Sequence, residues 1–253
     1  MEALKLGETV KIRGDVGGRL GSSLGVDLAG FGGTGGPIEA TGPVIVDGNI
    51  GPRAGISMLR GSIFVSGSVA APLGNAVEVE SDLTGYRKYV SITEVLEQGG
   101  QVLEPNLLED GGLVLRDGLL RETLAARSRA QKVLRVEEDA GMSAGILMKS
   151  GLIEIGGDAG RNAGVLMRGG VLIVRGRCDD FTATEMRGGE IFVAGDAGSY
   201  ICAKMTGGVV YAPKGKPIPP ARAQALKGDE AGLVSRVLGV NSFQAMMYRK
   251  FGL

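Results

Sequence analysis

A 19-residue segment is repeated four times between Gly141 and Gly208, and this repeat restricts the chain to few folds. A methionine recurs at every step of 19 residues, and a glycine follows it three positions later. These residues are Met148, Met167, Met186 and Met205, with Gly151, Gly170, Gly189 and Gly208. An earlier copy, from Gly51 to Gly67, has Met58 and Gly61 in the same positions. One copy of about 20 residues cannot bury its own apolar side chains, so the repeat indicates a solenoid of stacked copies.

The apolar residues in each copy alternate with a period of two. They stand two and four places after the repeated glycine: Ile153 and Ile155, Leu172 and Val174, Ile191 and Val193, Val210 and Ala212. Such alternation in β-branched residues predicts a strand, and one strand per copy gives parallel neighbours about 4.8 Å apart. We therefore predict an all-β fold, a single-stranded right-handed parallel β-helix of 19-residue coils with a helical insertion and C-terminal helices.

The repeat divides the chain into four predicted segments. These are N-terminal β-helix coils over 1–85, a partly helical insertion over 86–131, regular coils over 132–212 and a helical tail over 213–253. In the insertion, Ser91 and Glu94 have the spacing of a capping box that opens a short helix ending at Gly99. Asp117 is expected to cap a second helix running to about Ala130. The insertion packs on the side of the solenoid or instead divides it into two lobes.

The tail is predicted to be helical over 221–226, 230–238 and 242–250, with Asp229 as an N-cap and Gly239 as a stop. Phe243, Met246, Met247 and Phe251 would lie on one helical face. The end of a solenoid exposes an unpaired strand edge that must be covered. The tail therefore caps that edge or docks a partner protein.

Composition excludes several classes of protein. Lys plus Arg equals Asp plus Glu at 28 each, which does not suggest a nucleic-acid-binding protein. The chain has no histidine, so it has neither a Ser–His–Asp triad nor a histidine-based zinc site. No apolar run reaches about 18 residues, and the first 14 residues do not resemble a signal peptide. We expect a cytoplasmic protein that binds neither membranes nor nucleic acid and holds no cofactor or metal of its own.

Two columns of residues are candidates for docking a partner. Lys149, Arg168 and Arg187 each follow a repeated methionine and should stack on an outer corner. Their repulsion could be offset by the acidic series Asp139, Asp158 and Asp196. They are either a solvated charge ladder or a strip that meets an acidic partner or an anionic cofactor held by another chain.

The second column points outward from the strands and contains Ile173, Phe192 and Tyr211. Three large apolar groups in a row are not expected to remain in water, so the tail covers some of them and a partner covers the rest.

Other candidate sites are interpreted as structural. Cys202 shares a slot with small residues, and Cys178 is out of register with it, so neither a disulfide nor catalysis is expected. The glycines recur once per coil and form no phosphate-binding loop motif. An alternative hypothesis is an enzyme that uses paired carboxylates such as Glu78 and Glu80, two residues apart on one strand.

The pattern G-x-x-x-G-x-x-M-x-x-G-x-I-x-I-x-G, as in 51–67 and 160–176, resembles the glycine-rich (GXGXG) solenoid of two families. One is the C-type subunit of formylmethanofuran dehydrogenase, with its counterpart in the formyltransferase/hydrolase complex. The other is the C-terminal domain of the glutamate synthase large subunit. The resemblance covers about two thirds of the chain and carries over no catalytic residue.

This resemblance implies a non-catalytic scaffold in an oxidoreductase complex, with other subunits of the same enzyme as partners. In formylmethanofuran dehydrogenase, a molybdenum or tungsten pterin and iron–sulfur clusters would belong to those partners, and the pathway would be methanogenesis. In a split glutamate synthase, the partner-bound cofactor would be FMN. Length and the C-terminal tail favour formylmethanofuran dehydrogenase.

Overall fold

The computed structural model describes residues 6–253 and shows a parallel β-solenoid of about nine turns with coils of roughly 19 residues. Residues 1–5, the start of the segment expected not to be a signal peptide, lie outside the described residues. The all-β prediction is confirmed.

Within the described range the strands form sheets of five, nine and two members. The first sheet contains β1 (Val10–Arg13), β2 (Val44–Asp47), β3 (Ser62–Val65), β4 (Ala76–Val79) and β5 (Arg87–Ser91). The second contains β6 (Leu107–Glu109), β7 (Gly112–Leu115), β8 (Val133–Val136), β9 (Leu152–Ile155), β10 (Arg168–Val174), β11 (Arg187–Val193), β13 (Gly207–Ala212), β15 (Arg222–Ala225) and β16 (Arg249–Gly252). The pair is β12 (Ser199–Ile201) with β14 (Lys216–Pro217), and the α-helices are α1 (Ile92–Gln98), α2 (Gly228–Leu238) and α3 (Ser242–Ala245).

The repeated methionines and glycines have a common structural cause. All five methionines are buried in the solenoid interior, as predicted. Gly170 has a φ of +83°, and a Cβ built there would lie 2.7 Å from the carbonyl oxygen of Gly151 and 2.8 Å from Met148 Cε. Because the methionine of one coil packs against the glycine of the next, both residues recur at the same interval.

The segment between the two large sheets differs from the prediction. Ser91 Oγ accepts hydrogen bonds from the backbone N–H groups of Thr93 and Glu94, so the predicted N-cap of α1 is confirmed. The second helix, expected from Asp117 to about Ala130, is wrong. Residues 121–128 instead form turns at a corner of the solenoid, where Thr123 N–H donates to Met142 O. These hydrogen bonds to the next coil override a helical propensity that has no tertiary support.

The parallel strand ladder is interrupted at this segment, and buried polar groups connect the coils on either side of the interruption. β5 pairs antiparallel with both β3 and β4, and the second sheet starts with the hairpin β6–β7. Asn75 Nδ2 donates to Met58 O and to Thr93 Oγ1, and Thr93 Oγ1 donates to Ala126 O. These bonds connect the N-terminal coils with the first coil of the second sheet. That coil starts at Gly112, which pairs with Val133, so the parallel ladder resumes well before the expected residue 132.

The tail caps the last parallel strand by adding two antiparallel strands. β16 pairs with β13, placing Phe251 opposite Val210, and β15 pairs with β16. The helix expected over 221–226 is therefore wrong, and the one expected over 242–250 ends at Ala245. α2 begins after Lys227 rather than at Asp229, and it ends at Gly239 as predicted. The open edge of β13 favours strand formation by β16, and the edge of β16 in turn favours strand formation by β15.

Candidate docking surfaces

The outward apolar column is covered by the tail of the same chain. Ile173, Phe192 and Tyr211 are buried against α2 and α3, and Phe192 stacks on Tyr211 with ring centroids 4.9 Å apart. The expectation that a partner covers part of this column is wrong. Sequence patterns identify outward apolar residues but do not show which segment covers them.

Polar contacts hold α2 in this position. Arg175 Nη1 donates to Val237 O near the C-terminal end of the helix, and Arg175 Nη2 lies 2.6 Å from Glu154 Oε1. Tyr248 Oη donates to Ala194 O at 3.0 Å. Glu154 occupies in its coil the outward position that the apolar residues occupy in the following coils. Its carboxylate orients Arg175, which binds the end of the helix.

Apart from Leu253, which is 59% exposed, three large apolar side chains of the tail remain outside this core. Phe243, Met246 and Met247 are 78%, 68% and 65% exposed, respectively, and we call them the tail patch. Phe251, predicted to share their face, is instead buried in β16. A groove of about 480 Å³, lined by Leu226, Ala231, Gly232, Met246 and Arg249 among others, lies beside the patch.

The basic column lies apart from the acidic one. Lys149 and Arg168 line one cavity together with Arg127 and Arg129, and Arg187 lies one coil further along the column. Arg129 was missed because the coil step that relates it to Lys149 is 20 residues instead of 19. The longer step is shown by the hydrogen bond from Lys149 N–H to Ser128 O, where the next coil has one from Arg168 N–H to Met148 O. Arg127 was missed because only the fold brings it to this cavity.

The acidic series belongs to a different groove. Asp139 Oδ1 accepts a hydrogen bond from the Asp158 N–H, and Asp158 Oδ1 accepts one from the Arg177 N–H. These carboxylates therefore tie successive coils together and do not neutralise Lys149 or Arg168. The suggested offset is wrong.

The acidic side chains and the two cysteines bear on whether the chain could hold a metal or a reactive thiolate. Among residues 6–253, no group of three or more Cys, Asp and Glu side chains is placed to hold a metal. Burial raises the pKa of the Cys178 and Cys202 thiols to about 12, although a hydrogen bond with Thr182 opposes the shift for Cys178. Both cysteines are free and buried, so neither is a reactive thiolate at neutral pH.

The proposed carboxylate pair does not come together. Glu78 accepts hydrogen bonds from Arg87 Nε and from Tyr89 Oη. Glu80 follows the end of β4 and lines a separate cleft of about 480 Å³ with Glu94. Burial raises the pKa of Glu94, and the nearby charge of Arg60 opposes that shift. Because β4 ends at Val79, the strand alternation does not extend to Glu80.

Part of the chain is similar to an archaeal protein. No protein-family model matches the chain. An uncharacterized protein of Methanothermobacter thermautotrophicus is 44% identical over 158 residues, which is 62% of this chain and 51% of the relative. The chain thus spans about half the length of the curated relative it matches. Within residues 6–253, no helix has the length and apolar character needed to cross a membrane.

Proposed function

We propose that this chain is a non-catalytic scaffold subunit of a multi-subunit enzyme and that a partner protein binds the tail patch. The exposure of Phe243, Met246 and Met247 is the observation that carries this proposal. An apolar cluster on an otherwise well-packed segment is typical of a protein-interaction surface. Methionine side chains are flexible and polarizable, which suits them to such a surface.

Capping the solenoid does not account for the patch. The strand edge is covered by β15 and β16, and the outward column is covered by Val234, Leu238 and Tyr248. Phe243 and its two neighbours are not part of that buried cluster. Capping therefore requires the tail but does not require these side chains to be apolar.

The resemblance in the glycine-rich repeat favours formylmethanofuran dehydrogenase as the complex, with this chain in the place of its solenoid subunit. The partners would hold the molybdenum or tungsten pterin and the iron–sulfur clusters. A split glutamate synthase with an FMN-containing partner is the alternative. Two free cysteines favour a reducing, cytoplasmic location.

Purification of the tagged chain from its native host tests the proposal. We expect recovery of a complex larger than the 26.0 kDa chain, with molybdenum or tungsten detected by metal analysis. FMN and a glutaminase subunit in the complex would select the alternative. Recovery of the chain alone as a monomer would contradict a scaffold role.

Serine substitutions at Phe243, Met246 and Met247 should abolish recovery of the partner because they remove the apolar contact area. The triple variant should keep the thermal stability of the wild type, since all three side chains are largely exposed. Met142→Ser is the matched control, because Met142 is an exposed methionine on another coil. Equal partner recovery with the triple variant and the control would show that the tail patch is not the binding surface.

A further inference from the structure

A cationic cavity of about 250 Å³ lies where a glycine-rich loop meets a corner of the second sheet. One wall is formed by Thr34 to Pro37, and the other carries four cationic side chains. These are Arg127, Arg129, Lys149 and Arg168. The two walls meet through the hydrogen bond from Arg127 Nη1 to Gly35 O, which is 2.8 Å long and joins residues 92 positions apart in sequence.

The four positive charges of this cavity have no carboxylate partner among residues 6–253. None of the four side chains takes part in an ion pair within that range, and no Asp or Glu in it lines the cavity. Glu97, the acidic residue bonded to the Arg129 backbone N–H, is itself paired with Arg60 at 2.5 Å. The cavity therefore concentrates positive charge on a chain whose formal net charge is zero.

The cations destabilise one another in the absence of an anion. Burial, followed by the charges of Arg129, Arg168 and Arg127, lowers the pKa of Lys149. Burial and the charge of Arg168 likewise lower the pKa of Arg127. Arg127 Nε is buried without a hydrogen-bond acceptor among the described residues, and such an unpaired donor is unfavourable unless something binds there.

We propose that this cavity binds a small phosphorylated ligand of about the size of pyrophosphate. Guanidinium groups match phosphate oxygens with paired N–H donors, and an ammonium group adds a mobile point charge. Gly35 and Gly36 carry no side chain that would occlude the entrance. The N–H groups of this loop are already bonded to Asp27 and Thr34, so the side chains across the cavity do the binding. The site therefore differs from a glycine-loop phosphate cradle.

Titration calorimetry of the purified chain with pyrophosphate tests this site. We expect one saturable site per chain, weakened about tenfold in Lys149→Gln and in Arg168→Gln. Arg187→Gln is the matched control, because Arg187 continues the same column outside the cavity, and it should change the dissociation constant by less than about twofold. Lys149→Gln should also leave the unliganded melting temperature unchanged or raised, because it relieves repulsion. A merely structural lysine would lower it.

ADP distinguishes the possible sources of phosphate, and citrate tests whether the site requires phosphate. Binding of ADP tighter than pyrophosphate would assign a nucleotide, and weaker binding would assign a non-nucleotide phosphate. Absence of saturable pyrophosphate binding, equal loss in Arg187→Gln, or citrate binding as tight as pyrophosphate would overturn the proposal. The cavity does not include the tail patch, so these results bear on the anion site and leave the scaffold proposal unaffected.

Discussion

Asp117→Ala should lower the free energy of unfolding by about 3–5 kcal/mol, because it leaves the buried guanidinium of Arg121 without a counter-charge. The side chain of Arg121 is only 2% exposed and bonds both carboxylate oxygens of Asp117. Its Nε also donates to Ala76 O at 2.9 Å, so the pair connects the second sheet to β4. Urea denaturation at neutral pH measures the loss.

Asp82→Ala is the matched control for this pair. Asp82 accepts a hydrogen bond from Lys88 Nζ at 3.0 Å, but its side chain is 72% exposed, so its removal should cost less than about 1 kcal/mol. The double variant Asp117→Leu with Arg121→Met should recover most of the loss, because a buried ion pair can be replaced by apolar groups of similar volume. A loss with Asp117→Ala as small as with Asp82→Ala would contradict the assigned role.

The pair of Asp117 and Arg121 should also make the stability of the fold depend on pH in the acid range. Burial alone would raise the pKa of Asp117, but hydrogen bonds and the charge of Arg121, together with a hydrogen bond from Asn106, lower it below its usual range. A carboxyl whose folded-state pKa is depressed stabilises the fold above its unfolded-state pKa of about 3.9, and this contribution is lost as pH falls further. The stability difference between wild type and Asp117→Ala should therefore be full at about pH 6 and should shrink below about pH 4.

Phe192→Ala should destabilise the fold about as much as Asp117→Ala does, lowering the free energy of unfolding by about 3–5 kcal/mol. Phe192 is 1% exposed and stacks on Tyr211 beneath α2, so its removal leaves a cavity and loses an aromatic pair. Because Phe192 belongs to the buried cluster that includes Val234 and Leu238 of the tail, limited proteolysis should also cut the tail of this variant faster.

Phe243→Ala is the matched control for Phe192→Ala. It removes the same side chain from an exposed position, and it should change stability by less than about 0.5 kcal/mol. Equal losses for the two variants would show that the tail does not pack on the column as described.

The regular coils were predictable from sequence because their period is constant. Met167 and Gly170 recur at intervals of 19 residues, and the pairing of Val171 with Glu190 and of Glu190 with Val209 follows the same interval. A constant interval leaves one register in which all apolar residues face the interior.

Other features were missed because they depend on contacts that sequence periodicity does not carry. Arg129 joins the basic column only through a 20-residue step, and Arg127 approaches the glycine loop only through the fold. Residues 222–225 have a helical composition, and they form a strand because β16 presents an edge to them. The position of Phe192 in the repeat indicated that its side chain points outward, but it did not indicate that α2 covers this side chain.

Hydrogen–deuterium exchange on the complex recovered from the native host tests the central claim most directly. The scaffold account predicts slower exchange over 242–248 in the complex than in the free chain, with β9 and β10 unchanged because their amides are already protected. Identical exchange over 242–248 in both samples, with protection on another face of the solenoid, would contradict it.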